Sequence, residues 1–182
     1  GRVAVKYVKS NEGWQESLSR PGDTLGARDE LGLRGLLNLE LGDNASLLLN
    51  LHYFRDRSEN MAATAFDGTI IGNPTPEFLG GSGRIEFSTG DNQAAEWALD
   101  FRPKRNNTLQ GASAKLEWAV AEGINLTSIT AYDEFERDPE TWNTSGVIFE
   151  DGNTSNTTQL DVFSQEVRMS LGNIWRINLN LR

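Results

Sequence analysis

The sequence predicts an all-β chain, an antiparallel up-and-down meander of about seven strands. Three observations lead there. Apolar residues recur at every second position in one segment after another, and the 3.6-residue period of an amphipathic helix is rare. Tight turns rich in Gly and Asn alternate strictly with long polar connections. Alternate connections of an antiparallel sheet lie at opposite ends, so the short turns belong at one end and the long loops at the other.

The first strand is expected at about Arg2–Lys9, with Val3, Val5 and Tyr7 on one face and Arg2, Ala4 and Lys6 on the other. The second runs from about Glu30 to Leu41, where Leu31, Leu33, Leu37 and Leu39 oppose Arg34, Leu36, Asn38 and Glu40. The third covers about Ala45–Arg55 and sets Leu47, Leu49, Leu51 and Tyr53 against Leu48, Asn50, His52 and Phe54. The fourth, about Gln110–Val120, places Ala112, Ala114, Leu116, Trp118 and Val120 opposite Ser113, Lys115 and Glu117. A fifth at about Ile124–Arg137 mixes its pattern, and its faces stay unassigned. The sixth, about Val162–Leu171, opposes Phe163, Val167, Met169 and Leu171 to Ser164, Glu166, Arg168 and Ser170. A seventh starts at Ile174, with Trp175, Ile177, Leu179 and Leu181 against Arg176, Asn178 and Asn180.

The short turns are Gly42-Asp43-Asn44, Ala121-Glu122-Gly123 and Gly172-Asn173, where Gly and Asn supply positive φ. The long connections are about Ser10–Asp29, Asp56–Leu109 and Asp138–Asp161. The second contains Gly72-Asn73-Pro74, Gly80-Gly81-Ser82-Gly83 and Gly90-Asp91-Asn92, with a short helix expected near Gln93–Leu99. A loop of that length is foreign to a compact soluble domain. It is normal on the external side of an outer-membrane barrel, whose periplasmic turns are short.

Composition narrows the function. With 26 acidic and 17 basic residues the net charge is −9, which argues against nucleic acid as a partner. No cysteine is present, so disulfides, thiolate metal sites and cysteine nucleophiles are excluded. One histidine, His52, makes a His-rich metal site improbable. No apolar run approaches a membrane helix, since the longest is Trp118–Ala121. Membrane strands, however, hide their hydrophobicity in alternation. Trp118 and Trp175 fall near short-turn ends and Tyr7, Tyr53 and Phe163 near long-loop ends, as two interfacial girdles would. The two ends, GRVAV and NLNLR, read as cuts through a larger protein.

At this point a family resemblance emerges. The stretches GRVAVKYVKSNEGW and DELGLRGLLNLELGDNASLLLNLHYFRDRSE resemble the middle of the β-barrel of TonB-dependent outer-membrane receptors. The matching features are Gly1-Arg2, Gly13, Arg34-Gly35 and Arg55-Asp56. GINLTSITAYDEFERD followed by DVFSQEVRMS is similar to an ascending and a descending strand of those barrels. The resemblance implies that residues 1–182 are a segment of a receptor barrel with a long loop at about 56–109, lacking the plug, the TonB-box segment and the remaining strands. It further implies a bacterial outer-membrane location and ligand capture by external loops. Passage would run through a plugged lumen, with energy from a TonB-type complex acting through the missing plug. The nutrient would be a siderophore, cobalamin or a saccharide. No enzyme activity, cofactor or metal is implied. The implied partners are outer-membrane lipid, the plug of the same parent chain, the energising complex and the small-molecule nutrient.

Candidate ligand contacts are the loop aromatics and cations Phe66, Phe78, Arg84, Trp97, Arg102, Lys104, Arg105 and Trp142, since binding side chains concentrate on loops. The lumen-facing set is Arg34, Asn38, Asn50, His52, Lys115, Glu117, Glu166, Arg168, Arg176 and Asn178. The lipid-facing set is Leu31, Leu33, Leu37, Leu39, Leu47, Leu49, Leu51, Leu116, Trp118, Val167, Met169, Ile177 and Leu179. Glu166 and Arg168 are expected to join Glu117, Lys115, Glu40 and Arg34 in one lumen network. His52, with no carboxylate near it in the sequence, reads as a hydrogen-bonded residue rather than a metal ligand. The acidic run Asp133, Glu134, Glu136, Asp138 and Glu140 around Arg137 lacks calcium-loop spacing and reads as a solvated rim. Gly80–Gly83 lacks the strand–helix context of a phosphate cradle. Two rivals stand beside the barrel segment: a soluble surface or secreted β-sheet binding module (an adhesin or carbohydrate binder), and a complete small barrel of about eight strands.

Overall fold

A computed structural model describes residues 1–17, 20–63, 91, 93–95, 97–98, 101–143 and 153–172. Nine strands occur among them and no helix: β1 (Arg2–Lys9), β2 (Gln15–Ser17), β3 (Thr24–Leu25), β4 (Asp29–Glu40), β5 (Ala45–Asp56), β6 (Ala94–Ala95), β7 (Asn107–Ala121), β8 (Ile124–Asn143) and β9 (Asn153–Leu171). Six of them form one sheet in the order β1-β4-β5-β7-β8-β9, every neighbour antiparallel. That is the expected meander, each long strand pairing with the next long one. The sheet is open, and the described strands close no barrel. Gly42 and Gly123 hold φ of 74° and 72° at the two short turns, the left-handed geometry those turns demand.

Three expectations change. The connection 138–161 is mostly strand, because β8 and β9 continue pairing from Glu140↔Asn156 to Asn143↔Asn153. A bulge between Arg137 and Glu140 takes up Pro139, which cannot donate to a ladder. The described residues of the expected helix near 93–99 are not helical. Instead Ala94–Ala95 runs parallel to β2, and Glu16 N–H donates to the Gln93 carbonyl at 2.7 Å. Nor are the first two long loops irregular throughout, since β2, β3 and β6 make a second sheet in the order β3-β2-β6. The seventh strand, with Trp175, Arg176, Ile177, Asn178 and Leu179, lies outside the described residues.

Burial divides the molecule unusually. Every buried apolar residue described lies in the long connections: Leu25, Ala62, Ala95, Trp97, Ala98 and Pro103. The six-stranded sheet buries only polar side chains, Glu30, Asp56, Glu140 and Thr141, at its loop end. Dry packing therefore holds the loops together, while among the described residues the sheet has no buried apolar core on either face.

Candidate functional site: two faces of one sheet and a cored loop cap

Cross-strand partners share a face, so the register fixes the sidedness of the whole sheet. One face carries Leu39↔Leu47↔Leu116↔Ser128↔Val167, then Leu37↔Leu49↔Ala114↔Thr130↔Gln165, then Val3↔Gly35↔Leu51↔Ala112↔Tyr132↔Phe163. Leu31, Leu33, Trp118, Leu126 and Met169 complete it. The other face carries Arg34↔His52↔Gly111↔Asp133, Asn38↔Leu48↔Lys115↔Ile129↔Glu166 and Glu40↔Ser46↔Glu117↔Thr127↔Arg168. The two sets separated by sequence pattern thus lie on opposite faces wherever they are described. The register also assigns β8, whose Leu126 and Tyr132 join the apolar face and whose Thr127 and Ile129 join the polar one.

Nothing among the described residues covers the apolar face. Val3 is 80% exposed, Phe163 68%, Met169 65% and Leu51 62%. In water each such side chain forgoes about 1.5–3 kcal/mol of burial, and a continuous patch of this kind marks a partner surface. Its border at the loop end is slanted. The last apolar residues are Tyr7 on β1, Leu31 on β4, Tyr53 on β5, Tyr132 on β8 and Phe163 on β9; charged residues follow on all five. From β4 to β8 the border shifts four residues in register, about 13 Å, across three strand spacings of about 4.8 Å. From β1 to β9 the same shift spreads over five spacings. The strands therefore cross the band at about 30–40°. On β5 the band runs from Ala45 to Tyr53, about 27 Å of strand and about 22 Å high at that tilt.

The polar face is linked both along strands and across them. Lys115 Nζ meets Glu117 at 2.8 Å, and Arg168 meets Glu166. Arg34 donates to Asn50 Oδ1 at 3.0 Å, and Asn50 donates on to Ser113. The single expected network of Glu166, Arg168, Glu117, Lys115, Glu40 and Arg34 is thus a set of separate links: Glu166–Arg168, Lys115–Glu117 and Asn38–Glu40 meet two residues apart on one strand, while Arg34 turns to Asn50 on the next. His52 has a polar partner, as expected of it, but that partner is a carboxylate brought near by the fold. Its Nε2 lies 3.0 Å from Asp133 Oδ1, reaching over β7 from β5 to β8. Gly111 sits between them, and a Cβ there would fall 2.2 Å from Asp133 Oδ1 and 2.8 Å from the imidazole. A glycine inside a strand signals close approach, and that signal was available in the sequence. Also missed was an apolar rung on this polar face, Phe54↔Leu109↔Phe135↔Leu160: Phe54 falls on the parity read as wet, Phe135 on the strand whose faces the pattern leaves unassigned, and Leu109 and Leu160 just beyond the expected strand limits.

Three of the five described loop candidates, Trp97, Arg102 and Arg105, are structural. Trp97 is only 1% exposed and packs with Leu25, Ala62 and Ala95; the Arg20 guanidinium lies 5.0 Å over its ring. Its ring is therefore not presented to a ligand. Arg102 is committed to Glu59, Asp23 and the Thr24 carbonyl. Arg105 spans Asn60 at 2.7 Å, Asp56 at 3.5 Å and Glu140 at 3.8 Å, fastening the loop to β5 and β8. Lys104 is exposed and forms a backbone bridge to Glu59. Trp142 is half-buried with Arg137 6.0 Å from its ring. Phe66, Phe78 and Arg84 lie outside the described residues.

Further clamps tie the two loops together. Gln15 and Ala62 exchange two hydrogen bonds, at 3.0 and 2.7 Å. Glu59 Oε2 accepts from the Gly26 and Ala27 amides. Desolvation would raise the Asp23 carboxyl, but hydrogen bonds from Arg20 and Arg102 outweigh it and hold it below its ordinary value. The Arg102 guanidinium is raised, chiefly by its hydrogen bond to Glu59. The acidic run disperses in the same way: Asp133 pairs with His52, Glu140 with Arg137 and Arg105, and Glu134 and Glu136 face the apolar side. Among the described residues no three His, Asp or Glu side chains converge on a metal-sized site.

Comparison with family models, curated proteins and solved structures returns no match.

Proposed function

We propose that this sheet is part of the wall of an outer-membrane β-barrel, its apolar face against lipid and its polar face toward the lumen. The observation that carries the reading is an apolar face that nothing among the described residues covers, set beside a dry core confined to the loops. A soluble module would invert that arrangement. The slanted border supports it further, because strands of such barrels tilt by roughly 35–45° around an apolar band about 25 Å tall. The aromatic border residues suit an interfacial girdle, and nine residues from Ala45 to Tyr53 match the roughly 9–11 of a spanning strand.

The resemblance to TonB-dependent receptors carries the reading from architecture to activity: energised uptake of a siderophore, cobalamin or saccharide. The cored cap formed by the first two long loops would hold external binding loops in fixed positions. The polar face would line a wet passage and meet the plug. Deleting the gene should abolish growth on one such nutrient class supplied at limiting concentration, and collapsing the proton gradient should abolish the same uptake. Unimpaired, gradient-independent uptake of all three classes would refute the transport reading.

A further inference from the structure

At the loop end of the polar face, cations meet buried carboxylates. Lys6 and Arg28 reach Glu30, Arg105 reaches Asp56 and Glu140, and Arg137 reaches Glu140. The apolar face differs over β1, β4 and β5. There Lys9, Arg55 and Arg57 gather around one carboxylate, Asp29. Lys9 pairs in register with Asp29, and the Arg57 amide donates to the Asp29 carbonyl from the opposite side. Arg55 Nη2 reaches Asp29 Oδ1 at 3.3 Å. Three cations thus span two strand spacings, about 10 Å, against one acid.

Two of them keep an uncompensated charge. Among the described residues the exposed Arg57 guanidinium donates only to neutral oxygens: the Asp56 and Asn107 carbonyls and Thr108 Oγ1. Lys9 is exposed and forms no ion pair among the described residues. This excess occurs in a chain of net charge −9, and the same face turns acidic over β8 and β9, with Glu134, Glu136 and Asp161. Immediately below the cations lie Tyr7, Leu31 and Tyr53, the border of the apolar band.

From this juxtaposition we propose that Lys9, Arg55 and Arg57 bind the phosphate of a membrane lipid whose acyl chains lie along the apolar face beneath. Guanidinium and ammonium donors suit phosphate oxygens. A free anion would meet the charges but leave the apolar surface bare; a lipid satisfies both. Asp29 orients Arg55 and sets the net charge of the patch.

The inference rests on the barrel reading, and the test separates the two. Vesicle flotation of the full-length protein checks the barrel reading alone: failure to float refutes it, and flotation leaves the lipid site to be decided by titration. Detergent-solubilised full-length protein is then titrated with phosphatidic acid, with diacylglycerol and with inorganic phosphate. Phosphatidic acid should bind about fivefold more weakly for each cation removed in Lys9→Gln, Arg55→Gln and Arg57→Gln. Asp29→Asn should bind more tightly, and Arg2→Gln on the opposite face should match the parent. Diacylglycerol should be indifferent to all of them. Unchanged affinity in the three variants overturns the proposal, as does inorganic phosphate binding as tightly as the lipid. A dimer that the same substitutions dissolve would overturn it in favour of a second copy's acidic patch.

Discussion

Leu48 and Leu49 are adjacent on β5 and point to opposite faces, so lysine at each gives a matched pair of perturbations. Leu49 lies midway along the apolar span Ala45–Tyr53, with Leu37 and Ala114 beside it. Each border is about 13 Å away along the strand, about 11 Å in height at the inferred tilt. A lysine stem of about 6 Å cannot carry its ammonium that far. Leu49→Lys should therefore cost the full midplane penalty, about 2–4 kcal/mol. Leu48 sits between Asn38 and Lys115 on the polar face. Leu48→Lys leaves its charge wet and adds only cross-strand repulsion from Lys115, about 0.2–1 kcal/mol. The assay is reversible urea unfolding of the full-length protein in lipid vesicles, followed by tryptophan fluorescence. Equal losses, or a larger loss at Leu48, would refute the assigned sidedness.

Other consequences follow from the loop cap and the polar face. Trp97→Ala removes the largest side chain of the loop core and should cost about 3–5 kcal/mol, seen as lost amide protection at Gln15–Leu25 while β4, β5 and β7 stay protected. Arg105→Ala leaves Asp56 and Glu140 without that partner; because the arginine is itself 40% exposed, the loss should be about 1–3 kcal/mol, read by denaturant melts. Gly111→Ala should cost about 1 kcal/mol by separating His52 from Asp133, and less in an Asp133→Ala background, where only the crowding against the imidazole remains; a double-mutant cycle resolves the difference. The Asp23 carboxyl titrates lower in the folded chain than unfolded, so its contribution is complete above the unfolded value and is lost as pH falls through the folded one. Acid-induced loosening of the cap should thus be blunted in Asp23→Asn.

How much of this was legible in the sequence depended on where water and packing impose a period. β1 falls at its expected limits, and β4, β5 and β7 lie within a few residues of theirs, because one face of each is apolar. The period fades where both faces are polar, so the pairing of Glu140–Asn143 with Asn153–Asn156 left no pattern. Ser128 and Thr130 on the apolar face hid the phase of β8, which only its neighbours' register restores. Around Gln93–Leu99 local helix propensity was overridden by packing of Trp97 and by β2. The loop core joins Leu25 to a tryptophan 72 positions away, and no periodicity reports such a contact. His52 and Asp133 meet for the same kind of reason, through β7, and only Gly111 hinted at it.

The central claim, that the apolar face meets lipid, is tested most directly on β5. Single cysteines at positions 47 to 53 of the full-length protein, which otherwise offers none in this segment, can each carry a small fluorophore in reconstituted vesicles. Lipids brominated in their acyl chains should quench positions 47, 49 and 51, and aqueous iodide should quench 50 and 52. Quenching that fails to alternate, or lipid quenching at 50 and 52 instead, would contradict the account.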